Sequence, residues 1–476
     1  SASANSATRT KEKQAEHSIS LRPRPPTRQD GSVSKVPRDS WSSEMEGDAV
    51  AITRDLIRID TSNWGPDPRT VGEAEAAEYC AERLRETGWD PEIIVTSNDR
   101  RRGAALRIPG VDSGAPALVV HGHLDVVPAV ASDWTHPPFA AEVDDGFIWG
   151  RGAVDMKNMD AMITAVARHW GRTGERPRRD VIVVFFPDEE AGMVHGSRWF
   201  VDNRPDLFAG ASEAIGEVGG FSLSIADDLR LYPIQTAEKG IKWLRLRASM
   251  RAGHGSMIHT DNAVTELAHA VVRIGRHRWP VRRTKTVDRF LADLSQAYGL
   301  ELREDDTEAI LAKLGTLGML VGATLQNTAN PSMLEAGYKV NVIPTEALAH
   351  VDGRFLPGYE AEFDETIRSL VGEHIDIETL NDDVAVETSF ETTTFELMAS
   401  VLRQEDPVAR AVPYMISGGT DAKALSSLGI DCYGFSPLRM PENLDYWRLF
   451  HGVDERVPID GLTFGVRTLY RFLMAC

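Results

Sequence analysis

A mostly parallel α/β sheet with flanking helices, carrying a smaller inserted α+β domain, is the architecture this sequence predicts. Three observations point to it. The chain has 476 residues, more than one hydrophobic core usually supports, so two domains are expected. Short, wholly apolar runs alternate with helical patterns from residue 41 onward, as strands buried on both faces require. Near residue 237 the texture switches to apolar–polar alternation, the mark of a strand with one exposed face.

The elements follow in order. EMEGDAVAITRDLIRI and TVGEAEAAEYCAERLRETG have helical spacing, and Gly88 closes the second as a C-cap. EIIVTS, GAALRIP and ALVVHGH read as strands, MDAMITAVARHWGRTG as a helix, and DVIVVFFPDEE as a buried strand. GIKWLRLRASM opens the second texture. It is followed by helices at AVTELAHAVVRIGRH and EAILAKLG, then by strands at YKVNVIP and ALAHVDGRFLP. The inserted domain is expected at 237–352 and the first domain at 41–236 and 353–476. The α/β pattern resumes with FDETIRSLVGEH and ends in the helix GLTFGVRTLYRFLMA.

Composition narrows the class. A 42% hydrophobic and 26% charged content is that of an ordinary globular protein. No apolar run is long enough to span a membrane, and the opening residues lack the apolar core of a signal peptide. Net charge is −19, which argues against a nucleic-acid-binding body. Residues 1–39 carry eight Lys/Arg against four Asp/Glu, a balance of +4 that leaves −23 for the rest, so 1–40 reads as a flexible basic tail. Three scattered cysteines, Cys80, Cys432 and Cys476, exclude a disulfide framework and fit a reducing, cytoplasmic compartment.

Polar residues at the ends of apolar runs carry the chemistry. HGHLDVVP ends a buried strand in His121, His123 and Asp125, and an unpartnered polar group there costs several kcal/mol, roughly 2–7 by transfer scales. Residues two apart on a strand share a face, so the Asp125 side chain is placed to accept a hydrogen bond from His123. His121 shares that parity. Asp155 lies in the Gly-rich GRGAVDMKN, Glu189 and Glu190 follow VIVVFF, Glu217 closes EAIGEVGG, and His451 lies in FHGVDERVP. Taken singly, each has a plainer reading as a structural hydrogen bond or a solvated loop. Together, hard carboxylates with two imidazoles suit a pair of zinc or similar divalent ions, with one carboxylate between them.

These blocks, with WTHPPFAAEVDDGFIWGRGAVDMKN, GHGSMIHTDNAV, KVNVIPTEALAHVDGRFLPG and SGGTDAKAL, closely resemble the M20 family of metallopeptidases and aminoacylases. The likeness is strongest to the branch of carboxypeptidase S and N-acyl-amino-acid hydrolases. The resemblance implies a zinc-peptidase-like catalytic domain and a ferredoxin-like inserted domain that serves as lid and dimerisation element. It makes His123 and Glu217 ligands of one metal, His451 and Glu190 ligands of the other, and Asp155 the bridge, with a cis peptide after Asp155. Asp125 would orient His123, and Glu189 would be the general base that activates a water acidified by the two ions. His254 in AGHGS would stabilise the oxyanion, often from the partner subunit of a homodimer. Arg354, Gly418, Gly419 and Thr420 would hold the substrate carboxylate, and Asn341 would touch substrate or oxyanion. His121, His136, His195 and His259 match no ligand position.

The function implied is hydrolysis of an amide or peptide bond next to a free carboxylate, in a carboxypeptidase, dipeptidase or N-acyl-amino-acid amidohydrolase. Zinc is the expected metal, with cobalt or manganese as substitutes. The alternatives are an amidohydrolase that deacylates a specialised biosynthetic intermediate, or a catalytically silent metal-binding homologue. Against silence, no ligand or base position is missing. One departure stands out: Met156 follows the bridging aspartate where this branch often has a second Asp, which puts the shape of the pocket wall in question.

Overall fold

The computed structural model describes residues 43–299, 318–442 and 444–476. The expected tail at 1–40 and helix at EAILAKLG lie outside the described residues. In chain order the first domain supplies β1 (Glu92–Val95), β2 (Arg102–Ile108), β3 (Ala117–His123), β4 (Glu142–Asp144), β5 (Phe147–Trp149), β6 (Val181–Phe186), β7 (Ala211–Gly216), β8 (Leu223–Ala226) and β9 (Leu229–Glu238). A second group follows: β10 (Gly240–Ser249), β11 (Gly253–His254), β12 (Thr328–Ala336), β13 (Val342–Ile343), β14 (Glu346–Phe355) and β15 (Ile375–Asp383). The chain then returns through β16 (Val386–Glu387), β17 (Ala409–Ile416), β18 (Asp431–Gly434) and β19 (Arg456–Pro458).

The main sheet runs β1-β2-β6-β3-β7-β18-β9-β16, with β8 and β17 also paired to β9. Its centre, β6-β3-β7-β18, is parallel, and its edges are antiparallel. Every residue of β3 and β6 is buried, as their apolar runs predict, because helices cover both faces. The helix Lys157–Thr173 packs against Ser43–Arg58 and Ile459–Ala475 and stops at Gly174, which takes the left-handed conformation open to glycine.

The second sheet is antiparallel, ordered β12-β14-β10-β15, with the helices Ala263–Arg276 and Glu360–Val371 packed on it. Strand, helix, two strands, helix, strand in that spatial order is the ferredoxin-like arrangement. Along β14 burial alternates at every residue, matching its sequence pattern. The expected end of this unit at 352 is corrected by the pairing. β14 stays in register with β10 to Phe355, and β15 adds to the other side of β10. FDETIRSLVGEH therefore forms the second helix of this unit, where Phe363 stacks on Trp279 at 5.4 Å. Conversely, the helix Lys285–Tyr298 leaves the unit and buries Val287, Phe290 and Leu291 in the first domain's core.

Candidate metal centre

The carboxyl ends of the parallel strands β3, β6 and β7 open on one crevice, the place where sheets of this kind bind ligands. His123 is the last residue of β3, Glu189 and Glu190 follow β6, and Glu217 follows β7. The register that pairs His123 with Phe186 fixes the first two of these side by side. Asp155 enters from the loop before the helix Lys157–Thr173, and the Asp155–Met156 peptide is cis. His451 comes from the loop before β19. Non-glycine residues with positive φ gather here: Asp188 (62°), Met193 (63°), Val218 (60°) and His451 (56°). Such strain persists only where surrounding contacts over-determine the backbone.

Asp155 stands between the two histidines. Its Oδ1 lies 3.2 Å from His123 Nε2, and its Oδ2 lies 3.3 Å from His451 Nε2. Glu217 Oε2 approaches His123 Nε2 to 3.6 Å, and Glu190 Oε2 approaches His451 Nε2 to 3.0 Å. Donor atoms of His123, Glu189 and Glu217 all fall within 4.8 Å of one another, as do those of His123, Asp155 and Glu190.

This gathering of charge is costly without a cation. Burial, opposed in part by His123, pushes Glu217 up to about 8. Burial and then the charge of Glu217 drive Glu189 well above the usual carboxylate range. Burial and Asp155 raise Glu190. Hydrogen bonds with Asp155 and Glu190 lift His451 to about 10. Glu190 Oε1 is buried with no hydrogen-bond partner. Oxygen and imidazole donors with an unused, buried carboxylate oxygen fit divalent ions of the zinc type.

Asp125 is placed differently from the expectation. His123 Nδ1 lies 3.0 Å from the backbone carbonyl of Asp125 and 3.6 Å from its carboxylate. The carboxylate instead accepts the backbone amides of Glu189 and Glu190, both at 3.0 Å, and Asn63 Nδ2 at 2.8 Å. The strand parity is right, but amides distant in sequence compete for the same oxygens and win. Asp125 thus holds the turn that carries both glutamates. His121, pushed down to about 3 by burial, is neutral and packs against Phe186 and Gly216.

A cavity of about 480 Å³ opens from Asp155, Glu189, Glu190, Glu217 and His451. Arg354, Gly418, Gly419 and Thr420 line it, although the Thr420 hydroxyl is committed to Glu238 at 2.5 Å. Arg354 holds Asp352 in a fork, Nε–Oδ1 2.7 Å and Nη2–Oδ2 3.2 Å, so its face toward the cavity belongs to a half-neutralised pair. Met156 is buried in the core and does not line the cavity, so its departure from the motif leaves the wall unchanged.

His254 and Asn341 do not line the cavity of their own chain. They meet on an exposed two-stranded ribbon, where Gly255 N donates to the Asn341 carbonyl at 3.0 Å. The Ser256 amide donates to His254 Nδ1 at 3.2 Å, and a backbone N–H can only donate. A neutral His254 therefore carries its proton on Nε2, the outward nitrogen. Sequence reasoning missed the apolar wall formed by Tyr414, Trp447, Phe450 and Met193, since aromatic residues near loops look like core residues. It also missed Asp421, a buried acid raised to about 7 whose charge Glu189 and Glu217 both feel.

Buried carboxylates and paired imidazoles at the strand ends of an α/β sheet define a metal-dependent hydrolase. The peptidase family M20/M25/M40 matches residues 119–475, three quarters of the chain, which belongs to that family. The chain is 29% identical over 383 residues to a probable carboxypeptidase S-like 2 of Dictyostelium discoideum, covering 74% of this chain and 70% of that protein. It is 27% identical to the aminoacylase-1 of Pongo abelii over 456 residues, 92% of this chain and 97% of that one. Among solved structures, the M20 metallo-carboxypeptidase Sso-CP2 of Sulfolobus solfataricus superposes with a TM-score of 0.67 at 19% identity, over 90% and 98% of the two chains. The dinuclear metal-binding M20 peptidase YXEP of Bacillus subtilis gives a TM-score of 0.59 at 14% identity, over 91% and 98%. Among the described residues no helix is long and apolar enough to cross a membrane.

Proposed function

We propose that this protein hydrolyses an amide bond next to a free carboxylate, in a short peptide or an N-acyl amino acid. The observation that carries this reading is Asp155, which turns one oxygen to each of two histidines, each already paired with its own glutamate. His123 and Glu217 would hold one divalent ion, His451 and Glu190 the other, and Asp155 would serve both. Zinc fits the donor set best, with cobalt or manganese able to substitute. Two such ions supply Lewis acidity, bringing a water's pKa to about 7 and polarising a carbonyl oxygen.

Glu189 is the proton carrier. Burial, and then the neighbouring charge of Glu217, raise its proton affinity well above that of an ordinary carboxylate. It takes a proton from the attacking water and returns it to the departing amine. Arg354, with the main chain of Gly418 and Gly419, anchors the substrate carboxylate. The wall of Tyr414, Trp447, Phe450 and Met193 suits an apolar group on the acyl side. His254 donates Nε2–H to the oxyanion from the partner subunit of a homodimer, with Asn341 beside it. Buried thiols at Cys80, Cys432 and Cys476 suit a reducing compartment.

The test is a screen of zinc-, cobalt- and manganese-loaded protein against N-acyl amino acids and dipeptides, each paired with its C-terminal amide. Cleavage of the free acids with weak or no cleavage of the amides is the expected outcome. Equal cleavage of both would remove Arg354 from its role. No cleavage of either would end the hydrolase reading.

A further inference from the structure

Glu455 lies outside the cavity lining and is fully buried, yet its carboxylate takes four donors. Oε2 accepts from Arg151 Nη1 at 2.7 Å and from the Gly152 amide at 3.0 Å. Oε1 accepts from the amides of Val154 at 2.8 Å and Asp155 at 3.1 Å. The Glu455 carbonyl takes the Gly150 amide at 2.9 Å, and Arg151 Nη2 reaches the Gly452 carbonyl at 3.0 Å. The loop that ends in Asp155 and the loop that begins at His451 are therefore tied together at one side chain. The β5–β19 pairing of Trp149 with Arg456 joins the two loops at one end, and the Glu455 side chain carries the tie on from there to the Asp155 amide.

We propose that Glu455 is a positioning residue that sets the placement of Asp155 against His451, and with it the uptake of the second ion. This rests on the two-ion reading above. A glutamine at 455 keeps the shape but has one acceptor oxygen. Whichever way it turns, its NH2 faces two N–H donors, so either the Arg151 side or the Asp155 side loses its partners.

The experiment is titration of chelator-stripped protein with Mn(II), followed by electron paramagnetic resonance, which distinguishes free, isolated and coupled ions. Wild type is expected to take two ions that become spin-coupled. Glu455→Gln is expected to bind the first ion within about threefold of wild type and the second about 10–100-fold more weakly, with the coupled signal diminished. Its kcat should fall with little change in KM. Arg151→Met, which removes the guanidinium bonds to Glu455 and to the Gly452 carbonyl but leaves the three amide bonds, should weaken the same step to a smaller degree. It also carries the test if Glu455→Gln does not fold. Glu405→Gln, where Arg467 and Arg471 lose a partner far from the centre, should lower the melting temperature and leave both binding steps intact. A wild-type second step in Glu455→Gln or, should that variant not fold, in Arg151→Met overturns the proposal, as does equal weakening in Glu405→Gln. Wild-type protein that binds no Mn(II) overturns the two-ion reading along with it.

Discussion

At the ends of β3, β6 and β7, groups from distant parts of the sequence converge within one chain, whereas the inserted domain delivers only one of its three candidates to the same cavity. His123 and Glu190 are brought together by sheet register, a set of backbone hydrogen bonds that leaves them little freedom. His254 and Asn341 sit on the solvent-facing ribbon formed by the short β11–β13 pairing. Arg354 reaches the cavity from the end of β14, where it pairs with Ile241 of β10, which lines the cavity as well. The proposed metal ligands are rooted in and around the main sheet, whereas His254, Asn341 and Arg354, proposed to meet the substrate, are carried on the second unit.

The largest expected effect tests the first region. Glu189→Gln should retain bound metal and lose about 10²–10⁴-fold in kcat, read by steady-state kinetics on protein of measured metal content. The next tests the second region. His254→Ala should lose about 10²–10³-fold, as when one oxyanion donor is removed. If His254 serves the neighbouring subunit, mixing equal amounts of Glu189→Gln and His254→Ala protein after dissociation and reassembly restores about a quarter of wild-type activity, since half the dimers then hold one intact site. Failure to restore activity would place His254 and Glu189 in the same chain's site and remove the contrast. Arg354→Leu should raise KM for carboxylate substrates about 10–100-fold while leaving their amides almost unaffected, the change expected from one charge-assisted pair.

The smallest effect checks that these losses are local. Asp406 receives a fork from Arg230 at 2.6 and 2.8 Å and the Tyr232 hydroxyl at 2.9 Å, away from both regions. Burial works against its charge, but the Arg230 bonds win and hold its carboxyl below the usual range. A lowered folded-state pKa adds stability above the unfolded value, about 3.9, and that stability disappears as pH falls through the folded value. Asp406→Asn should therefore cost about 1.5–3 kcal/mol at pH 7, less at pH 3, with KM unchanged. Thermal melts across pH measure it.

Much of the centre is visible in the sequence because polar residues at the end of a buried strand are conspicuous. Glu189, Glu190, Glu217 and His123 stand out by that contrast, and it is their combination that reads as a metal centre. What stays hidden depends on partners far along the chain. Nothing in LDVVP shows that Asp125 will be claimed by amides 64 and 65 residues on. Nothing in VDERVP shows that Glu455 will gather donors some 300 residues back. The sequence places the end of the inserted unit too early for a similar reason. An amphipathic helix such as Glu360–Val371 announces that it has a core to face, but not which one.

The helix Lys285–Tyr298 has a further consequence. Because it returns from the ferredoxin-like unit to the core beneath β17 and β9, the described residues pass between the two bodies four times: near residues 239, 280, 327 and 384. The second unit is consequently not a removable cassette. Excising 240–383 would strip Val287, Phe290 and Leu291 from the first body and leave β17 bare on one face. Any movement of one body against the other must flex all of these threads at once.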